Sequence, residues 1–516
     1  MSQKQPNILF ILADQLAATF LPAYGHKIVQ TPNISRLAAE GVVFENAYSN
    51  SPLCAPARAT IMNGLLSSRT GVYDNAAEFP SAIPTWAHYL RLRGYRTCLS
   101  GKMHFVGPDQ LHGLEERLTT DIYPADFGWT PDWRLKDERI DWWYHNMTST
   151  KQAGIAEMTN QLEFDDEVAF LAVRRIYDFA RYEAGTPFCL MTSFTHPHDP
   201  YAARAKYWNL YRDKDINLPI TPAIPFEKMD PHSQRLYRMS AMEEYDITEA
   251  DIRSSRHGYY ANITYVDGLI GQMIDALEKT GRLEDTVIVL SSDHGDFLGE
   301  RGLWYKMSFL EYSAHVPLIV WSPKRFHARR VAEPVSLADI LPTFVDIGSE
   351  GRTELARPVD GRSLLPLLLG APEDPDATAW GEYLAEGAIA PLYMIRRGPW
   401  KYIYCPTDPD QLFNLKDDPK ELHNLANELQ DLTTTFRNEI LAKFDVPRIH
   451  RQVLESQQAR LMMFEALKRG ERFPWDFQPL RDASEQYTRN HMSVTDRDLQ
   501  SRFPPAPEAI KRAPKS

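Results

Sequence analysis

A chain of 516 residues is long enough to bury a large core and to fold as more than one domain. Its 43% hydrophobic and 24% charged residues are those of a globular protein, which excludes a disordered or fibrous chain. With 57 Lys and Arg against 69 Asp and Glu, the net charge of −12 argues against nucleic acid as a partner, because a phosphate backbone is repelled by an acidic surface, while a cationic or zwitterionic ligand is compatible.

The first element is NILFILA (7–13), a short apolar run closed by Asp14. It lacks the longer apolar region and small-residue cleavage site of a secretory signal. No later stretch approaches the ~20 apolar residues of a membrane span. The expectation is a cytoplasmic protein without membrane contact, in which the sequons at Asn33, Asn146 and Asn262 carry no sugar. SPLCAPARATIMNG (51–64) follows, and PARATIMNG reads as a helix with Pro56 in its first turn, where a missing N–H costs nothing. Further β-rich runs are YRTCLS (95–100), PFCLMTSFT (187–195), TVIVLSS (286–292) and VPLIVWS (316–322). All are continuous rather than alternating, the pattern of parallel strands covered on both faces. ITYVDGLIGQMIDALEKTG (263–281) is a helix stopped at Gly281. Strands alternating with helices predict an α/β sandwich.

APEDPDATA (371–379) reads as a linker, and LYMIRRGPWKYIYC (392–405) as a small antiparallel unit. Two helices are expected near 428–445 and 451–470, before a polar, proline-rich tail. The expected division is a catalytic domain (1–375), a small C-terminal α+β subdomain (376–445) and a helical extension with tail (446–516). The four cysteines, Cys54, Cys98, Cys189 and Cys405, form no CxxC pair, so neither a zinc knuckle nor a disulfide framework is indicated.

The residues after the strands carry the chemistry. NILFILA is followed by Asp14-Gln15, YRTCLS by Gly101-Lys102-Met103-His104, PFCLMTSFT by His196-Pro197-His198-Asp199, and TVIVLSS by Asp293-His294-Gly295-Asp296. One acidic residue after a strand is usually a helix cap. Four strands delivering such groups to the ligand-binding edge of an open sheet point to a site. Asp14, Gln15 and Asp293 offer oxygen ligands and His294 a nitrogen, which suits calcium or magnesium and leaves manganese open. Arg58, Lys102, His104 and Lys306 suit a tetrahedral anion. Cys54, at a helix N-terminus that favours a thiolate, is either a reactive nucleophile or a small buried core residue. Cys98 and Cys189, inside apolar strands, read as core.

Cys54-Ala55-Pro56-Ala57-Arg58 resembles the Cys-x-Pro-x-Arg signature of the type I (formylglycine) sulfatases of the alkaline phosphatase superfamily. Asp14-Gln15, Lys102-x-His104, His198, Asp293-His294 and Lys306 fall where that family keeps its metal and sulfate residues, and the resemblance runs from about residue 6 to 510. Within it the chain is most similar to the choline-sulfatase family, through LPAYGH (21–26), YDNAAEFP (73–80), residues 101–133 and YTRNHM (487–492). Two departures stand out. Ala57 replaces the commoner Ser, and Gln15 and His294 replace the Asp and Asn of many arylsulfatases, a pair shared with phosphonate monoester hydrolases.

The resemblance implies an alkaline-phosphatase-like sandwich, a large mostly parallel sheet between helices, and a C-terminal extension that helps build a homo-oligomer, dimer or tetramer. It implies conversion of Cys54 to formylglycine by a maturation enzyme, and one divalent metal held by Asp14, Gln15, residue 54, Asp293 and His294. Calcium is the preferred metal, with Mn2+ or Mg2+ as alternatives. The implied reaction cleaves choline sulfate to choline and sulfate through a covalent sulfated intermediate on residue 54. In it Arg58 holds the nucleophile, Lys102 and Lys306 contact sulfate, His198 protonates the leaving alkoxide, and His104 deprotonates the second hydroxyl of the aldehyde hydrate. A trimethylammonium group binds through aromatic faces and carboxylates. In the ring-rich stretch 123–145 (Tyr123, Phe127, Trp129, Trp133, Trp142, Trp143, Tyr144 and His145), Trp129 and His145 are the expected cage, with Asn75 and Glu386 as polar neighbours. The competing readings are a phosphonate monoester hydrolase, phosphodiesterase or arylsulfatase with the same centre, and a sulfatase-like binding protein with unmodified Cys54.

Overall fold

In the computed structural model, which describes residues 5–136, 138, 145–212 and 216–469, the long apolar runs are strands with no exposed face. The central sheet contains β1 (Asn7–Asp14), β2 (Val42–Tyr48), β3 (Arg96–Gly101), β4 (Glu116–Arg117), β5 (Phe188–Pro197), β6 (Thr286–Ser292), β7 (His315–Trp321), β8 (Arg329–Val331) and β9 (Val335–Ser336). Their order is β8-β2-β7-β6-β1-β5-β3-β4, with β9 also on β2. β1, β5 and β6 are buried at every residue, and β1 lies parallel between the other two.

The expectation of a parallel strand at 316–322 is corrected here. β7 runs antiparallel to both β6 and β2, while every other pairing described in this sheet is parallel. Each residue of β7 is buried. Continuous apolarity therefore records cover on two faces and carries no information on strand direction.

The pleat sorts β1 between two cores. Leu9, Ile11 and Ala13 pack with residues of α2 (Asn160–Tyr182) and α3 (Glu249–Lys279), among them Val168, Ile176, Ile263 and Ile270. Ile8, Phe10 and Leu12 pack on the opposite side with α1 (Cys54–Asn63) and α4 (Ile340–Ser349), among them Ile61, Met62, Leu341 and Phe344. A one-residue slip of β1 would exchange the two sets, so register is strongly specified. α3 starts upstream of the expected 263, with Thr248 and Asp251 forming a capping box, and stops before Gly281, whose φ of +67° suits the expected breaker.

A second, antiparallel sheet holds β10 (Thr378–Tyr383), β11 (Leu392–Arg397), β12 (Trp400–Tyr404) and β13 (Gln411–Asn414) in sequence order. β10 begins inside the segment expected to be linker. α5 (Gln430–Lys443) and α6 (Val446–Leu467) share a core with this sheet through Phe436, Ile440, Ile449 and Val453. No helix among the described residues is long and apolar enough to cross a membrane. Trp142, Trp143, Tyr144, the motif YTRNHM and the proline-rich tail lie outside the described residues.

Candidate active site

Strand register assembles the site. Ala13 lies opposite Ser292, and Asp14 opposite Pro197, so Asp14-Gln15, His198 and Asp293-His294 leave neighbouring parallel strands side by side. Gly101 pairs with Ser193 on the other flank of β5 and delivers Lys102 to the same edge. Only glycine fits position 101, where φ is +117° and a Cβ would lie 2.0 Å from the Ser193 carbonyl oxygen. α1 enters with Cys54 as its first residue, and every residue of that helix is buried.

One ligand atom each from Asp14, Cys54, Asp293 and His294 lies within 4.8 Å of all the others. Cys54 Sγ is 3.3 Å from His294 Nε2 and 3.9 Å from Asp14 Oδ1. His294 Nε2 is 3.7 Å from an oxygen of both Asp14 and Asp293. Its Nδ1 faces the Gly295 carbonyl at 3.1 Å, which puts the proton there and turns the Nε2 lone pair inward. Two carboxylates and one inward imidazole nitrogen fit a divalent cation. Gln15 stands beside them, with its amide oxygen accepting from Lys306 Nζ at 2.6 Å and its nitrogen donating to Asp296 at 2.7 Å and Asp199 at 3.3 Å.

Three cations enclose the cluster. Arg58 donates to Asp293 at 2.8 Å and to Ser193 Oγ at 2.8 Å, and its Nη2 is 3.3 Å from Asp14. Lys102 pairs with Asp14 and lies 3.6 Å from Cys54 Sγ. Lys306 Nζ is 2.7 Å from His198 Nε2. Burial alone would raise the Asp14 carboxyl, but Lys102 and Arg58 hold it well below the usual range. Burial, reinforced by Lys306, keeps His198 well below its ordinary value and so neutral. Its Nδ1 donates to the Asp199 carbonyl at 2.7 Å, leaving Nε2 to accept from Lys306. Burial opposes the charge on Lys306, yet Cys54, Asp199 and Asp14 raise it. Two central carboxylates face three fixed cations, and this excess suits an anion.

His104 adopts φ +53°, is 2% exposed, and has no hydrogen-bond partner for either ring nitrogen among the described residues. Asp121 fixes its backbone by accepting from both Met103 N and His104 N at 2.9 Å. The Trp129 ring stands edge-on to the His104 ring at 5.6 Å. His145 is buried beside Tyr305, and burial together with Lys306 keeps it well below its ordinary value. Glu386 is 3% exposed, and its Oε2 has no hydrogen-bond partner among the described residues. Burial and the Asp74 charge push its carboxyl up to about 8. Asn75 Oδ1 accepts from Ala55 N at 2.9 Å, gripping the start of α1 beside Cys54.

The sequence reading passed over Ser193, Asp121 and the central position of Tyr123. The Tyr123 ring lies 4.0 Å from Lys102 Nζ and 5.4 Å from the rings of both His104 and Trp129. Nothing in local sequence distinguishes that tyrosine from its aromatic neighbours.

With this geometry in view, known proteins give a consistent picture. The family model described as sulfatase matches residues 6–349, and that for the C terminus of choline sulfatase enzymes matches 451–503. The model for the C terminus of N-sulphoglucosamine sulphohydrolase matches 299–444. A choline-sulfatase of Rhizobium meliloti (strain 1021) is 50% identical over 512 residues, 98% of this chain and 99% of that protein. Arylsulfatase K of Danio rerio is 31% identical over 479 residues, 88% of this chain and 86% of its own. The crystal structure of a phosphonate monoester hydrolase of Agrobacterium radiobacter superposes with a TM-score of 0.67, at 23% identity, over 86% of this chain and 96% of that one. The architecture is thus the alkaline-phosphatase-like sandwich expected from the sequence.

Proposed function

The chain belongs to the sulfatase family, and on that premise we propose that it hydrolyses choline sulfate to choline and sulfate. The observation carrying this reading is the convergence of Cys54 Sγ, Asp14, Asp293 and His294 within 4.8 Å. The cations Arg58, Lys102 and Lys306 surround that cluster. The 50% identity to a choline-sulfatase over nearly the whole chain supports the identity of the alcohol.

Asp14, Asp293, His294 and residue 54, with Gln15 beside them, would hold a divalent cation, and that ion would supply Lewis-acid polarisation of a sulfuryl oxygen. The oxygen-rich donor set favours calcium first, with Mn2+ or Mg2+ as alternatives. Formylglycine at position 54, formed by a maturation enzyme, would supply as its hydrate one hydroxyl to displace the alkoxide from sulfur, the proton it sheds matching the one the alkoxide takes up, and a second whose deprotonation would break the C–O bond to sulfate and restore the aldehyde. Arg58 orients that residue. Lys102 and Lys306 bind sulfate oxygens. An alkyl alkoxide is a poor leaving group, and the His198–Lys306 pair delivers the proton it needs. His104 accepts the proton of the second hydroxyl at a ring nitrogen. Trp129, His145, Glu386 and Asn75 form the trimethylammonium pocket.

The reading includes a homo-oligomer built through the 446–516 extension, a cytoplasmic location and the domain division at 375 and 445. The decisive experiment measures choline and sulfate release from choline sulfate, alongside a phenyl phosphonate monoester. Mass analysis of the peptide covering residues 51–58 accompanies it. Conversion of Cys54 removes about 18 Da. Faster turnover of the phosphonate establishes the phosphonate hydrolase instead. An unconverted Cys54 in protein that binds choline sulfate without turnover, even after exposure to the maturation enzyme, establishes a binding protein.

A further inference from the structure

The pocket residues lie on loops far apart in sequence, and one face of the C-terminal helix α6 gathers those loops. Arg460, 4% exposed, forms a two-pronged ion pair with the fully buried Asp74 at 2.6 and 2.7 Å. Its Nη1 also donates to Thr130 Oγ1 at 3.1 Å. Asp74 immediately precedes Asn75, and Thr130 immediately follows Trp129. One turn earlier, Gln457 accepts from Trp133 N at 2.9 Å, and the Trp133 indole donates to the carbonyl of Ala385, the residue before Glu386. One turn later, Phe464 packs so closely on Gly128 that a Cβ there would sit 3.3 Å from its ring. Residues 457, 460 and 464 follow the spacing of a single helix stripe.

We propose that Arg460 is a positioning residue for the ammonium pocket, fixing through Asp74 and Thr130 the loops that carry Asn75 and Trp129, and thereby setting selectivity for a cationic alcohol. This rests on the choline sulfate reading above. A buried ion pair gains little stability over an apolar pair of equal volume, so its value lies in geometry and in the placement of charge. The fork of a guanidinium fixes direction as well as distance. Arg460 also offsets part of the charge of Asp74, the carboxylate nearest in effect to Glu386.

The test compares kcat/KM for choline sulfate with that for 3,3-dimethylbutyl sulfate, its uncharged isostere, in the full-length metal-loaded enzyme. Arg460→Met is expected to lose at least ~tenfold more on choline sulfate than on the isostere, mainly through KM, the scale of one lost cation–π contact. Arg460→Lys, which keeps the charge without the fork, falls between wild type and Arg460→Met. Equal losses on both substrates make Arg460 merely structural and overturn the inference. If Arg460→Met does not fold, Thr130→Val carries the test, with a ~two- to threefold fall in the same ratio expected for one weakened hydrogen bond. An unchanged ratio in that variant overturns the proposal. Wild-type enzyme without a preference for choline sulfate refutes the underlying reading, and this inference with it. A wild-type preference that the variants retain refutes this inference alone.

Discussion

Glu386 offers a quantitative test of the ammonium pocket. Its carboxyl, pushed up to about 8, is ~10% ionised at pH 7. If the bound cation requires the carboxylate, each pH unit below 8 costs about 1.4 kcal/mol, or tenfold in kcat/KM, a constant governed by the free enzyme. Every other titration in the site acts on charged and uncharged alcohols alike. The informative quantity is therefore the ratio of kcat/KM for choline sulfate to that for 3,3-dimethylbutyl sulfate. Between pH 6 and 8 this ratio should rise ~tenfold per unit, then level off. In Glu386→Gln it should be flat and low. His145 stays neutral throughout, because burial and Lys306 hold it well below its ordinary value. Folding stability gives a second readout with a definite sign. The folded-state value lies above the ordinary 4.5, so the contribution is full below pH 4.5 and lost as pH rises to 8. The contribution lost across that range is several kcal/mol, on the order of 1.4 kcal/mol per pH unit. Glu386→Gln should therefore raise Tm most above pH 8 and least near pH 5. A wild-type ratio independent of pH, or a slope that survives in Glu386→Gln, refutes the reasoning.

Arg58→Met should cut kcat at least ~10²–10³-fold. It should also destabilise the fold by ~3–5 kcal/mol, since Asp14 and Asp293 lose their shared cation. Turnover assays and urea unfolding check both, and near-wild-type turnover contradicts the assignment. Removal of bound metal with EDTA should abolish turnover and lower Tm, because two buried carboxylates then rely on side-chain cations alone; recovery on adding Ca2+, Mn2+ or Mg2+ separately ranks the metals. A chelated enzyme with unchanged Tm and rate rules out a metal at this cluster. Trp129→Ala should cost ~2–30-fold in kcat/KM on choline sulfate, the range of one cation–π contact, and distinctly less on the isostere. Equal losses would place Trp129 outside the cage.

The sequence made legible what depends on burial and adjacency. NILFILA announces a strand because both its faces pack on a core, and Asp14, His198, Asp293 and His294 are conspicuous as the residues that follow such strands. Direction was not legible, as β7 shows, because a doubly covered strand is apolar in either sense. β2 escaped notice because Glu45 and Asn46 interrupt its apolar run, and both reach the surface layer, where they meet Arg330 and Arg396. Lys306 follows no strand directly, and the resemblance supports it where strand adjacency does not. The tie from Arg460 to Asp74 spans 386 positions and leaves no periodic trace in the chain.

Cys54, at the heart of the site, is only 1% exposed in the folded molecule, with the imidazole of His294 3.3 Å from its sulfur. That imidazole is encoded ~240 residues downstream, which at ribosomal speeds of ~5–20 residues per second means roughly 10–50 s of synthesis. During that interval the thiol has emerged, but the strand that closes over it does not yet exist. Any macromolecule that must reach this atom works against a clock set by translation.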